Sequence, residues 1–150
     1  MTVKSIFDAG AKEEILQRLE KLTPASKAQW GKMNVSQMFA HCCEVLKLAT
    51  TSKIFKLSFI GYFMQFFKSS LYNDKPFARN LPTAPNFKMV EEKEFEPEKI
   101  KLISLIHKLV ENGESALENK VHPVFGKMTA KQWGISQWKH LNHHFEQFGV

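Results

Sequence analysis

Cysteine is scarce in this sequence: two in 150 residues, adjacent at Cys42 and Cys43. Neighbouring cysteines rarely bridge each other and no other thiol is present, so a disulfide framework within the chain is excluded. A reducing, cytoplasmic setting is the expectation. There is no internal repeat, no low-complexity segment, no G-x-S-x-G and no phosphate-cradling glycine loop, which removes the nucleotide-loop and elbow-serine chemistries. Long uninterrupted apolar runs are also missing. The nearest to one, IFKLSFIGYFMQFFKSSL from Ile54 to Leu71, is broken by Lys56, Gln65, Lys68 and three serines. The apolar run between its lysines is too short to cross a bilayer, so no transmembrane segment is expected. The opening MTVKSIFDAGAKEE reaches acidic residues before any apolar run and does not read as a signal peptide.

What is present is a composition suited to one core. Hydrophobic residues make up 43% and phenylalanine alone contributes 13 positions, which a disordered chain would not carry. A single domain over 1–150 is expected. Lys and Arg total 21 against 15 Asp and Glu, a net charge of +6 that raises the question of an anionic partner. That excess is local. Residues 25–89 hold nine basic groups against Glu44 and Asp74, whereas residues 90–150 hold eight against nine. Only one of the nine is arginine and no basic-aromatic motif accompanies them, which argues against nucleic acid.

Helical periodicity dominates the chain. Asp8 is positioned to cap a first helix near Gly10, carried by Ile15, Leu16, Leu19 and Leu22 to Thr23-Pro24. Asn34 caps a second, in which Val35, Met38, Phe39, Cys42, Val45, Leu46 and Ala49 share one face, with Cys42 in the core and Cys43 neutral. The Phe-rich stretch reads as a buried or interface helix bent at Gly61, with an interfacial amphipathic helix flanked by Lys53, Lys56 and Lys68 as the alternative. From Asn73 to Glu98 the periodicity stops and prolines punctuate a long connection, the length of a functional loop. Pro97 then enters a helix lined by Ile100, Ile103, Leu105, Ile106, Leu109 and Val110. After a loop through His122-Pro123, Thr129 caps a last helix whose apolar face is Ala130, Trp133, Leu141, Phe145 and Phe148. No strand-like alternation is sustained. Four or five helices with short to medium links predict an all-α bundle.

Six histidines carry the chemistry, three of them inside KHLNHHFEQFG. His140 and His144 lie about 40° apart on one helical face, one turn separated, the spacing by which two imidazoles grip one transition metal. His41 falls at the edge of the stripe on the second helix. If the two stripe edges meet, three imidazoles line a semi-open cleft with room for water or substrate. A bare H-x-x-x-H fits ordinary surface or part-buried histidines equally well. His107 reads as a packing or surface residue, and His122 as a loop residue that forms a local hydrogen bond or lines a site. Glu44 and Glu146 are close enough in sequence to ligands to act as a base or as ligand support, though solvated surface charge describes both.

The segments LTPASKAQWGKMNVSQMFAHCCEVLKLA and HPVFGKMTAKQWGISQWKHLNHHFEQFG, with the central NLPTAPNF from Asn80 to Phe87, resemble the DinB-like superfamily. The likeness is greatest to a branch of it whose last helix reads kHldHHlrQFg. This resemblance touches the second helix, the long connection and the final helix, and so covers most of the chain. It implies a four-helix bundle with a long connection and a divalent metal, nickel or zinc, held by one histidine on helix two and an H-x-x-x-H pair on helix four. Here those residues are His41, His140 and His144, with His143 and Gln147 matching the motif's further positions. Many members carry Arg-Gly between the last histidine and the glutamine, where this sequence has Phe145-Glu146, a departure that weakens any transfer of substrate contacts. The resemblance further implies metal-dependent transfer of a small thiol, or hydrolase-like chemistry. It also implies a homodimer, for which the Phe-rich helix offers apolar surface. The alternative is a binding or stress-related module with a hydrophobic pocket and no turnover.

Overall fold

A computed structural model describes residues 3–150. Among these the chain forms five α-helices and one short hairpin: α1 (Ala11–Glu20), α2 (Val35–Thr50), α3 (Phe59–Met64), α4 (Phe95–Asn112), β1 (Val121–His122), β2 (Gly126–Lys127) and α5 (Ala130–Gln147). The all-α expectation holds. The antiparallel pair, with Val121 opposite Lys127 and His122 opposite Gly126, is too short to leave an alternating pattern in the sequence. No helix among the described residues is long and apolar enough to cross a membrane.

Caps set the phase of the two helices that matter most. Asn34 accepts from the Gln37 N–H at 2.9 Å while Gln37 Oε1 accepts from the Asn34 N–H at 3.0 Å, a reciprocal capping box that starts α2. Thr129 and Gln132 repeat the device at α5. At α1 the expectation fails. Gly10, in the left-handed region at φ 77°, is the cap, and the Asp8 carboxylate instead accepts from the Ser5 N–H at 2.8 Å.

The core gathers apolar faces from α1, α2, α4 and α5. α2 lies along α4 on one side and α5 on the other, and α1 touches both α4 and α5. Trp133, Phe39 and Phe145 are its largest fully buried side chains. Cys43, read as neutral, is as fully buried as Cys42, because α2 is covered on two sides. On α4 the buried row is Leu102, Ile106 and Leu109, and Ile100 faces solvent. Arg18 ties α1 to the end of α5, donating to Asn142 Oδ1 at 2.7 Å and to the Val150 carbonyl at 2.8 Å.

The Phe-rich stretch departs furthest from expectation. Only Phe59–Met64 is α-helical; Gln65–Leu71 follows as 3-10 turns, and Ile54–Phe55 has left helical geometry altogether. The Ser58 N–H donates to the Pro123 carbonyl at 2.8 Å, which lays the stretch against the hairpin, and Ser58 Oγ then caps α3. Gly61 marks a close approach rather than a bend, since a Cβ there would sit 2.8 Å from the Val124 carbonyl oxygen. Of the buried or interface helix expected here, burial in the core is corrected: within Phe59–Leu71 only Gly61 is buried.

His122 sits in that hairpin. Its Nδ1 accepts from the N–H groups of Val124 and Phe125 at 3.1 and 3.2 Å, which places the ring proton on Nε2. The ring packs against Phe125 and Trp133. Burial favours the neutral form and pulls its pKa down to about 4. The folded pKa lies below the ordinary histidine value, so this contribution to stability is complete above pH ~6.5 and drains away as pH falls toward ~4. Urea unfolding should therefore show a loss of up to about 3 kcal/mol from this residue between neutral pH and pH ~4. His122→Gln should flatten that part of the pH–stability curve, and an unchanged slope would contradict the assignment.

Candidate metal centre

α2 and α5 cross so that His41 on one meets His140 and His144 on the other. The three ring pairs have centroids 4.7 to 5.0 Å apart, and one ligand nitrogen from each residue lies within 4.8 Å of the others. His41 Nε2 stands 3.0 Å from His140 Nε2. Two nitrogens bound to one ion at about 2.1 Å lie roughly 3 Å apart or slightly more, so this pair already has a coordinating separation. His41 and His144 are only 6% and 8% exposed, deeper than a position at the stripe edge suggests, because the long connection passes over the site.

Hydrogen bonds fix which nitrogen each ring can offer. His41 Nδ1 lies 2.8 Å from the Phe87 carbonyl oxygen. A carbonyl only accepts, so Nδ1 carries the proton and Nε2 presents a lone pair. His144 Nδ1 donates to Gln147 Oε1 at 2.8 Å, and Gln147 Nε2 donates to the Trp30 carbonyl at 2.7 Å, which settles the orientation of that amide. His144 Nε2 is therefore the free nitrogen. Fixing ring and tautomer through a carbonyl or side-chain acceptor is the usual support of metal-binding histidines. His140 is different. Its Nδ1 is buried without a partner and its Nε2 faces the lone pair of His41. In the neutral state His140 Nε2–H donates to that lone pair at 3.0 Å and leaves the unpartnered Nδ1 as its acceptor nitrogen; a cation held by the cluster would take the place of that shared proton.

Electrostatics point the same way. Burial lowers the pKa of all three rings: His41 against the opposing pull of the Phe87 carbonyl, His144 to about 3, and His140 well below the usual value with help from the neighbouring imidazoles. At neutral pH the rings are uncharged and their lone pairs available, the state a transition metal requires. The buried three-histidine group could hold a metal ion.

The remaining candidates separate. Gln147 is buried and holds His144. His143 is half-buried, edge-on to Trp30 and Phe77 at 5.8 Å each, and 5.2 Å from the His144 ring. Glu44 pairs with Lys47 at 2.5 Å, and Glu146 accepts from Asn142 Nδ2 at 3.0 Å. His122 is engaged in the hairpin, away from these contacts. Phe87 and Trp30 were not singled out by sequence reasoning, because each acts through its backbone carbonyl, which any residue supplies. Gly31 belongs with them. At φ 83°, a Cβ there would come 2.5 Å from Gln147 Nε2, so the amide can reach Trp30 only past a glycine. Lys139 braces the neighbouring turn, its ammonium donating to the Ser70 carbonyl at 2.5 Å and to Asn73 Oδ1 at 2.7 Å.

Fold and site together define a mostly helical protein with a hydrogen-bonded histidine cluster between two helices. The chain belongs to the family described as protein of unknown function (DUF1569), which matches residues 4–149. Comparison with curated proteins and with solved structures finds no match. Loss of the amide that orients His144 should weaken binding of added nickel or zinc by about 10–100-fold. Calorimetric titration of Gln147→Ala tests this, with the circular dichroism spectrum of the variant expected to match the parent.

Proposed function

We propose that this chain is a DinB-like four-helix bundle in which His41, His140 and His144 hold a divalent transition metal, nickel or zinc. We further propose that it uses the site to transfer a small thiol to an electrophile. The observation that carries the reading is the commitment of two Nδ1 protons, to Phe87 and to Gln147, which turns Nε2 of His41 and His144 toward one point beside His140. All-nitrogen donor sets of neutral imidazole suit nickel and zinc better than magnesium or calcium. Three protein ligands leave positions open for a substrate, as in catalytic rather than structural sites.

A divalent ion held by these three rings would supply Lewis-acid chemistry, lowering the pKa of a bound thiol or water toward neutral pH. The chain supplies the rest. Phe87 and Gln147 keep the rings from turning, and the connection carrying Phe87 limits the entry of water. His143 is held neutral mainly by burial and stands next to His144, where its ring can take a proton. A cytoplasmic setting fits two free, buried thiols.

One observation favours a second reading, a binding module without turnover. The carboxylates nearest in sequence to the ligands, Glu44 and Glu146, are engaged with Lys47 and Asn142, which leaves no free carboxylate base assigned to the site. The two readings part on measurement. Untagged protein should carry near-stoichiometric transition metal, and His41→Ala and His140→Ala should each lose it. Elemental analysis finding none, with no rise in melting temperature on adding nickel or zinc, rejects both. Metal-dependent consumption of a thiol in the presence of an electrophile supports the transferase, and saturable thiol binding without consumption supports the module.

A further inference from the structure

One element of this fold is built inside out. The inward positions of Phe59–Leu71 include Gly61, set against the Val124 carbonyl, and Gln65, whose amide bonds the Gly61 carbonyl at 3.2 Å. Its outward positions are Phe59, Ile60, Tyr62, Phe63, Phe66 and Phe67, with Phe59 and Phe66 80% and 86% exposed. Single exposed apolar residues are ordinary, but six large ones within nine positions form a contiguous patch that calls for a partner.

The charge around the patch selects that partner. Residues 51–90 carry six basic groups (Lys53, Lys56, Lys68, Lys75, Arg79 and Lys88) against Asp74 alone. Lys53 and Lys56 are exposed just before the patch, Lys75 is exposed just after it, and Lys127 projects from the hairpin on which it rests. A two-fold pairing of two copies through this face would set each patch against itself and its lysines against their own kind, with Asp74 the one acidic residue of residues 51–90 to offset them. An anionic lipid surface meets both features at once. Aromatic rings enter the boundary between headgroups and acyl chains, and the ammonium groups meet lipid phosphates and carboxylates.

We propose that Phe59–Leu71, with the flanking Lys53 and Lys56, is an interfacial anchor that docks this protein onto an anionic bilayer surface. The element lies on the membrane and does not span it. The histidine cluster takes no part, so the inference stands or falls independently of the metal reading.

Co-sedimentation of the full chain with phosphatidylcholine vesicles, with and without phosphatidylserine, tests it. Binding is expected to the phosphatidylserine vesicles and should weaken as salt rises. Phe63→Ser combined with Phe66→Ser should reduce it at least about tenfold. Lys53→Gln and Lys56→Gln should each reduce it about fivefold. These side chains are exposed, so thermal melts of the variants should match the parent and exclude misfolding as the cause. No binding to phosphatidylserine vesicles at low salt overturns the proposal. So does binding indifferent to the Phe substitutions, and so does a stable dimer in solution that Phe66→Ser dissociates, which would assign the patch to a second copy of the chain.

Discussion

His41 and His144 are buried and His140 is partly buried, and burial there disfavours a protonated imidazole at each position. Each ring must be neutral, and every neutral ring has one donor and one acceptor nitrogen to satisfy. Much of the surrounding architecture answers that requirement. The Phe87 carbonyl takes the His41 proton and so fixes where the long connection crosses α2. Gln147 takes the His144 proton, and its own amide N–H needs the Trp30 carbonyl, which draws the loop between α1 and α2 onto the end of α5. The Gln29 N–H closes the same corner by donating to the Gln147 carbonyl at 2.8 Å. Two irregular segments thus owe part of their path to the tautomers of two rings.

The packing that sets this geometry is ordinary helix chemistry. Capping boxes at Asn34 and Thr129 fix where α2 and α5 begin, and from there the turn of the helix fixes where each histidine points. Lys139 stands beside His140 in the chain but is buried for another purpose. Its acceptors are carbonyl and amide oxygens of residues 70 and 73, and its ammonium lies 4.7 Å from the Phe77 ring. The segment following the Phe-rich element is thereby pinned to the same helix that carries two of the histidines.

The local part of this structure was legible in the sequence. Helix periodicity, the caps at Asn34 and Thr129, and the i, i+4 pair His140 and His144 are all encoded within a few turns of chain. Asp8 misled because an acidic side chain before a helix can serve a turn as readily as a cap, and here it closes the Ser5 turn. Ile100 misled because a helix with apolar residues around much of its girth does not declare which row faces inward. The Phe-rich stretch failed for a related reason: hydrophobicity measures an aversion to water and does not say whether the protein's own core is what relieves it. Least legible were Phe87 and Trp30. Their contribution is a main-chain oxygen, identical in every residue, and only Gly31 beside Trp30 left a trace of the close approach.

The parts of the histidine cluster are scattered along the chain. The bond from His41 to Phe87 spans 46 residues, and that from Gln147 to Trp30 spans 117. Nothing resembling the complete arrangement can persist once the chain has unfolded, apart from the helical pair on α5. An ion bound there would therefore recognise the native state almost exclusively, and its binding free energy would be added to folding in proportion to the logarithm of its concentration. Closing loops of that length is the slow, entropically costly part of assembly, so capture of the ion would come last. The ion would then act less as a nucleus for the fold than as a latch on a fold already made.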